Sequence, residues 1–117
     1  MGRKVLVVDD EKLLLAAVER ALSKVGYEVF AAPSLQTLRG LVCSAPFDLL
    51  ITDIHVADDT FADVIDLVKT SSPGVRVLLM SGALDVSRSY PFIEKPFSIS
   101  NLRQRVKEIL DGALDGV

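Results

Sequence analysis

The chain of 117 residues has no tryptophan, one cysteine, one histidine and only seven aromatic residues, five Phe and two Tyr. One cysteine cannot form an internal disulfide, so a disulfide scaffold is excluded and a reduced, cytoplasmic setting is expected. Long apolar runs are absent, all falling far short of the roughly 20 residues that a bilayer span requires. Positive charge is not in excess: 13 Lys and Arg against 16 Asp and Glu leave a net charge of −3. That balance argues against a domain holding nucleic acid by general electrostatics. Met1-Gly2-Arg3-Lys4 leads into only four apolar residues before Asp9, so no secretory signal is expected. Low-complexity tracts, internal repeats and linkers are also missing. What remains is half hydrophobic, which excludes disorder at so small a net charge. The length predicts one domain over residues 1–117, burying roughly 65% of its unfolded surface.

Apolar runs and helical stripes alternate along the chain. Residues 5–8, Val-Leu-Val-Val, read as a strand buried on both faces. Residues 11–25 then set Leu14, Ala17, Val18, Ala21, Leu22 and Val25 on one helical face, with Gly26 as the stop. A short strand is predicted over 28–32, and Pro33-Ser34 supplies a turn and a helix cap. Leu35, Leu38, Leu41 and Val42 form the next stripe, and Cys43 within it reads as a small core residue. Strands follow at 49–53, 75–80 and 92–93. A helix carries Phe61, Val64, Ile65 and Val68, and a last helix capped by Ser98 carries Ile99, Leu102, Val106 and Ile109 or Leu110. Strand and helix in strict alternation predict an α/β fold, a doubly wound parallel sheet with crossover helices on both faces.

In such sheets ligands bind beyond the carboxyl ends of the strands, where the winding reverses. The residues there are Asp9, Asp10 and Glu11, then Asp53, then Ser81 and Gly82, then Glu94, Lys95 and Pro96. Taken singly, each acid is a turn former or a cap, and Asp10 caps a helix well. Taken together, four strand ends supply converging carboxylates, one hydroxyl and one lysine. Converging carboxylates repel one another unless protonated or joined by a cation. Oxygen-rich, sulfur-free ligation suits Mg²⁺. One carboxylate is then available as a nucleophile toward phosphorus.

Four motifs, in this order, carry a resemblance: Val7-Val8-Asp9-Asp10-Glu11, Asp48-Leu-Leu-Ile-Thr-Asp53, Leu78-Leu79-Met80-Ser81-Gly82 and Phe92-Ile93-Glu94-Lys95-Pro96-Phe97. The chain resembles the receiver domain of two-component response regulators. The resemblance implies a flavodoxin-like, five-stranded sheet of order 2-1-3-4-5. It implies Asp53 as the phosphoacceptor. It implies Mg²⁺ held by Asp10, Asp53 and the backbone carbonyl of His55, with Asp9 completing the pocket through water. Lys95 would contact the phosphoryl group, Ser81 would be the switch hydroxyl and Phe92 the switch aromatic, and the Lys95–Pro96 bond is usually cis in this family. The donor would be a phosphohistidine on a sensor histidine kinase or a phosphotransfer domain, with a possible downstream effector domain or protein. Such a domain catalyses at most its own phosphorylation and dephosphorylation. It would engage no nucleic acid and no membrane itself.

Two departures stand out. After Asp53 the family usually has Pro four residues on and Gly eight residues on; this chain has Ala57 and Phe61, with Asp58-Asp59-Thr60 between. Between Ser81 and Lys95 the segment is about two helical turns too short for a complete fourth helix, so that helix is expected to be shortened or absent. The competing reading is a pseudo-receiver, the same fold used only to bind proteins. A flavin or nucleotide binder is disfavoured, because Asp9-Asp10-Glu11 stands where a phosphate loop belongs. A haloacid-type phosphatase wants its second Asp two residues after the first, and here the two are adjacent.

Overall fold

Alternation within each strand decides which helices cover which face. The structure, a computed structural model, describes residues 3–44, 46–56, 59–82 and 90–111, with the backbone alone at 55–56 and 59–61. The chain runs β1 (Lys4–Val8), α1 (Lys12–Ser23), β2 (Glu28–Ala32), α2 (Leu35–Leu41) and a 3-10 turn (Val42–Ser44). It continues through β3 (Leu49–Asp53), a small antiparallel hairpin of His55–Val56 with Asp59–Thr60, and α3 (Phe61–Ser71). β4 (Arg76–Ser81), β5 (Phe92–Glu94) and α4 (Ile99–Leu110) complete it. The main sheet has the order β2-β1-β3-β4-β5, and every pairing in it is parallel. This is the flavodoxin-like 2-1-3-4-5 order.

Side chains point alternately to the two faces of the sheet. Val5, Val7, Leu49, Ile51, Leu78 and Met80 face α1 and α4, where they meet Leu15, Val18, Leu22, Leu102 and Val106. Leu6, Val8, Leu50, Val77 and Leu79 face α2 and α3, where they meet Leu38, Val64, Ile65 and Val68. Both faces are covered, so the strands read as unbroken apolar runs instead of alternating ones. Among the described residues no helix is long and apolar enough to cross a membrane.

Local signals set most boundaries. Ser34 accepts from the Thr37 amide at the start of α2, and Ser98 accepts from the Asn101 amide at the start of α4. After α1 the chain reverses at Gly26, whose φ is +102°. A side chain there would be strained. Gly26→Ala is therefore expected to lower stability by about 1 kcal/mol, read as a lower urea midpoint at unchanged slope. An unchanged midpoint would show that this turn tolerates a Cβ.

Four expectations are corrected. The core face of α1 is Leu15, Val18, Ala21 and Leu22, whereas Ala17 is exposed and Val25 lies beyond the helix, 49% exposed. Cys43 is exposed, not in the core, because the α-helix ends at Leu41 and the tighter 3-10 turn rotates it outward. Ile99 is 43% exposed while Ile109 and Leu110 are both buried. The residue capping α1 is Glu11 and not Asp10, and Glu11 makes no side-chain cap bond. The segment 83–89, where a shortened fourth helix is expected, lies outside the described residues, as do Ala57, Asp58 and residues 112–117.

Candidate functional site

The winding reverses between β1 and β3, since β2 lies on one side of β1 and β3 on the other. Their register pairs Val8 with Thr52, so Asp9, just after β1, comes level with Asp53, the last residue of β3. Asp9 is fully buried. Its Oδ1 accepts from the Glu11 amide at 2.8 Å, which fixes the turn into α1. Its Oδ2 accepts from Lys95 Nζ at 3.0 Å, and the same ammonium donates to Asp53 Oδ2 at 3.1 Å. Carboxylate oxygens of Asp9, Asp10 and Asp53 all lie within 4.8 Å of one another. With all three ionised, three carboxylates and one ammonium sum to −3 + 1 = −2. Such an oxygen-only cluster could hold a hard divalent cation, which would offset that charge.

Lys95 arrives from β5. Its backbone amide donates to the Ser81 carbonyl at 2.6 Å, and the Lys95–Pro96 bond is cis. Ser81 ends β4 and is 2% exposed. The two strand ends are thus joined by backbone, and Lys95 is aimed back across the end of β4 to the acids of β1 and β3.

A family model described as the response regulator receiver domain matches residues 5–107. The chain belongs to this family. It is 27% identical to the DNA-binding transcriptional regulator NtrC of Rhizobium meliloti (strain 1021), covering 99% of this chain and 28% of that protein. It is 29% identical to the sporulation initiation phosphotransferase F of Bacillus subtilis (strain 168), covering 94% of this chain and 95% of that one. The receiver domain protein of Methanospirillum hungatei JF-1 superposes with a TM-score of 0.85 at 22% identity over the whole of both chains, a likeness of fold. The chain spans about a quarter of the length of the NtrC relatives it matches, 22–28%.

In this receiver domain the structure brings Asp9, Asp10, Asp53 and Lys95 together. Ser81 touches the group through its backbone bond to Lys95. Phe92 stands apart at the start of β5, 41% exposed, with its carbonyl accepting from Arg105 Nη2 at 3.2 Å. His55 begins the hairpin two residues after Asp53. Two residues of the receiver site have no assigned role in the motif reading. Glu11 Oε1 lies 3.8 Å from Lys95 Nζ. Thr52, fully buried, donates from Oγ1 to the Asp53 carbonyl at 2.9 Å and so steadies the backbone that carries Asp53. A polar residue inside an apolar strand, next to the acid, is the signal that points to it.

Burial pushes the Asp9 carboxyl above its ordinary 3.8, with Asp53 adding to the rise; the Glu11 amide and Lys95 pull it back only in part. Burial alone would lower the Lys95 ammonium, but its hydrogen bonds to Asp9 and Asp53 and their charges outweigh that and raise it above 10.5. Lys95 is therefore a fixed cation in neutral water. For Asp9 the folded state holds its proton more tightly than the unfolded chain does. Its contribution to stability is present below pH 3.8 and is lost as pH rises through the raised folded value. In metal-free buffer, Asp9→Asn should remove that decline from the stability profile. An unchanged profile would place the burden on another group.

Proposed function

We propose that residues 1–117 form a phosphoacceptor receiver domain that takes a phosphoryl group onto Asp53 and changes conformation in response. The observation that carries this reading is the Lys95 ammonium bridging Asp9 and Asp53 at 3.0 and 3.1 Å beside a three-carboxylate cluster. Of the two acids that Lys95 bridges, Asp53 is the one open to attack phosphorus: its side chain is 21% exposed, while that of Asp9 is fully buried. A carboxylate oxygen of Asp53 forms the new bond to phosphorus as the bond from phosphorus to the donor histidine nitrogen breaks. The electron pair of that bond stays on the imidazole. Lys95, already within hydrogen-bond reach of Asp53, is placed to bind an oxygen of the arriving group as a point charge.

Mg²⁺ would be held by Asp10, Asp53 and the His55 backbone carbonyl, with Asp9 acting through water. When bound, it supplies positive charge where the transferred oxygens gather. Ser81 and Phe92 are the coupled elements of the switch, with phosphorylation shifting a population between two states. The donor is a phosphohistidine on a sensor histidine kinase or phosphotransfer domain, and the response passes to an effector domain or protein. Relatives of both kinds support this: NtrC is a transcriptional regulator, and the sensor histidine kinase TmoS of Ectopseudomonas mendocina matches 97% of this chain at 31% identity over 12% of its own length. The domain acts in the cytoplasm and catalyses only its own phosphorylation and dephosphorylation, without touching nucleic acid or membrane.

The test is intact-protein mass spectrometry after incubation with Mg²⁺ and a small phospho-donor. A gain of about 80 Da, one phosphoryl group, is expected. No gain with that donor or with a range of phosphohistidine donors would leave the pseudo-receiver reading in its place.

A further inference from the structure

One peptide unit at the site, between Asp53 and Ile54, is held at both of its polar atoms. The Ile54 amide donates to the Met80 carbonyl of β4 at 3.2 Å. A trans peptide points its C=O opposite to its N–H, so the Asp53 carbonyl faces the β1 side of the sheet. There the ladder has ended. β1 pairs with β3 only as far as Val8 with Thr52, whereas β4 pairs on to Asp53 with Met80. Beyond Val8 the chain turns toward α1, and the Asp9 amide donates to the Ala32 carbonyl of β2. The Thr52 hydroxyl meets the Asp53 carbonyl where the strand does not, donating from Oγ1 at 2.9 Å.

The hydroxyl is out of keeping with its surroundings. The preceding residues of β3 are Leu49, Leu50 and Ile51, and Thr52 is fully buried. By alternation it shares the face of Leu50, which α2 and α3 cover. Val would fill the place with the same shape and no polar atom to desolvate. The hydroxyl is the whole difference between the two, and it is spent on the Asp53 carbonyl.

We propose that Thr52 is a positioning residue for the chemistry at Asp53, acting through this peptide and not by touching the transferred group. The proposed metal donors straddle the peptide, the Asp53 carboxylate before it and the His55 carbonyl after it. Tethered at N–H by β4 and at C=O by Thr52, the peptide plane is held against rocking. The carboxylate therefore leaves a backbone of one orientation, with Oδ2 at 3.1 Å from Lys95 Nζ. Without the hydroxyl one tether remains, and the wider spread of orientations weakens both cation binding and attack on phosphorus. The positioning role rests on the phosphoacceptor reading; the bond to the carbonyl does not.

Three substitutions separate the hydroxyl from the methyl group beside it. T52S keeps the hydroxyl alone, T52V the methyl alone, and T52A neither. Stability should follow the buried methyl, with the parent and T52V unfolding at higher urea than T52S and T52A. Function should follow the hydroxyl. Mg²⁺ affinity by calorimetry should fall about tenfold in T52V and T52A and stay within about twofold of the parent in T52S. The rate of the gain of about 80 Da from a small donor at saturating Mg²⁺ should sort in the same way. In chelator the Asp53 carbonyl ¹³C resonance should move upfield in T52V and T52A but not in T52S, because a donated hydrogen bond deshields that carbon. A merely structural threonine gives the other order, T52V like the parent and T52S and T52A both impaired, and that order would overturn the proposal. So would a carbonyl resonance indifferent to the hydroxyl. If none of the four proteins takes a phosphoryl group, yet Mg²⁺ affinity and the carbonyl resonance sort by the hydroxyl, the phosphoacceptor reading fails and the positioning of the metal donors stands.

Discussion

Asp53→Asn should fold as the parent does and show no phosphoryl mass gain at all. The substitution keeps size and shape, and the amide carbonyl still accepts the hydrogen bond from Lys95 that Asp53 Oδ2 accepts at 3.1 Å. What it removes is the anionic oxygen. A neutral amide is a poor nucleophile toward phosphorus, and replacing the charge weakens any divalent cation held by the cluster as well. Both losses act on the same step, so the gain of about 80 Da should vanish and not merely shrink. Stability should change little, because the Asp53 side chain is 21% exposed and Lys95 keeps its bond to buried Asp9. A mass gain that persists in Asp53→Asn would mean that another group is the acceptor, with the neighbouring Asp10 the first to substitute.

Much of this site is legible in the sequence because the fold is. In a parallel sheet covered on both faces, strands are short apolar runs, and the residue that follows each run is placed by topology at one edge. That reasoning alone sets Asp9, Asp10, Asp53, Ser81 and Lys95 together, and the register of Val8 with Thr52 brings the first and third of these level. The phase of α1 is less sharply written in its residues. Leu13-Leu14-Leu15 spans more than half a turn of helix, so an apolar face can be drawn several ways. Leu15 takes the core and Leu13 takes solvent. The alanines are small enough to suit either side, and Ala17 falls outside while Ala21 falls inside. Cys43 falls outside the core for a different reason, since a stripe extrapolated at 3.6 residues per turn fails once the helix tightens into a 3-10 turn.

The sharpest division between stability and function falls on Asp10. Asp10→Asn should weaken Mg²⁺ binding at least tenfold, about 1.4 kcal/mol, since it removes one of the two carboxylates proposed to hold the ion directly. In chelator, however, the same change should make the protein more stable. Asp9, Asp10 and Asp53 crowd their oxygens within 4.8 Å with Lys95 as the ammonium hydrogen-bonded to two of them. Neutralising one of three like charges relieves repulsion worth about 0.5 kcal/mol, the scale of a single exposed pair. Mg²⁺ reverses the order. A cation at 100 times its dissociation constant stabilises the parent by about 2.7 kcal/mol. A variant with tenfold weaker binding gains about 1.4 kcal/mol at that same concentration. Urea unfolding in chelator and in saturating Mg²⁺ should therefore give curves that cross in rank: variant above parent without metal, parent above variant with it. A variant that is less stable in both conditions, with an undiminished response to Mg²⁺, would remove Asp10 from the metal site. Such a crossing would supply a physical reason to keep three carboxylates: their repulsion is relieved by the cation that the proposed transfer to Asp53 calls for.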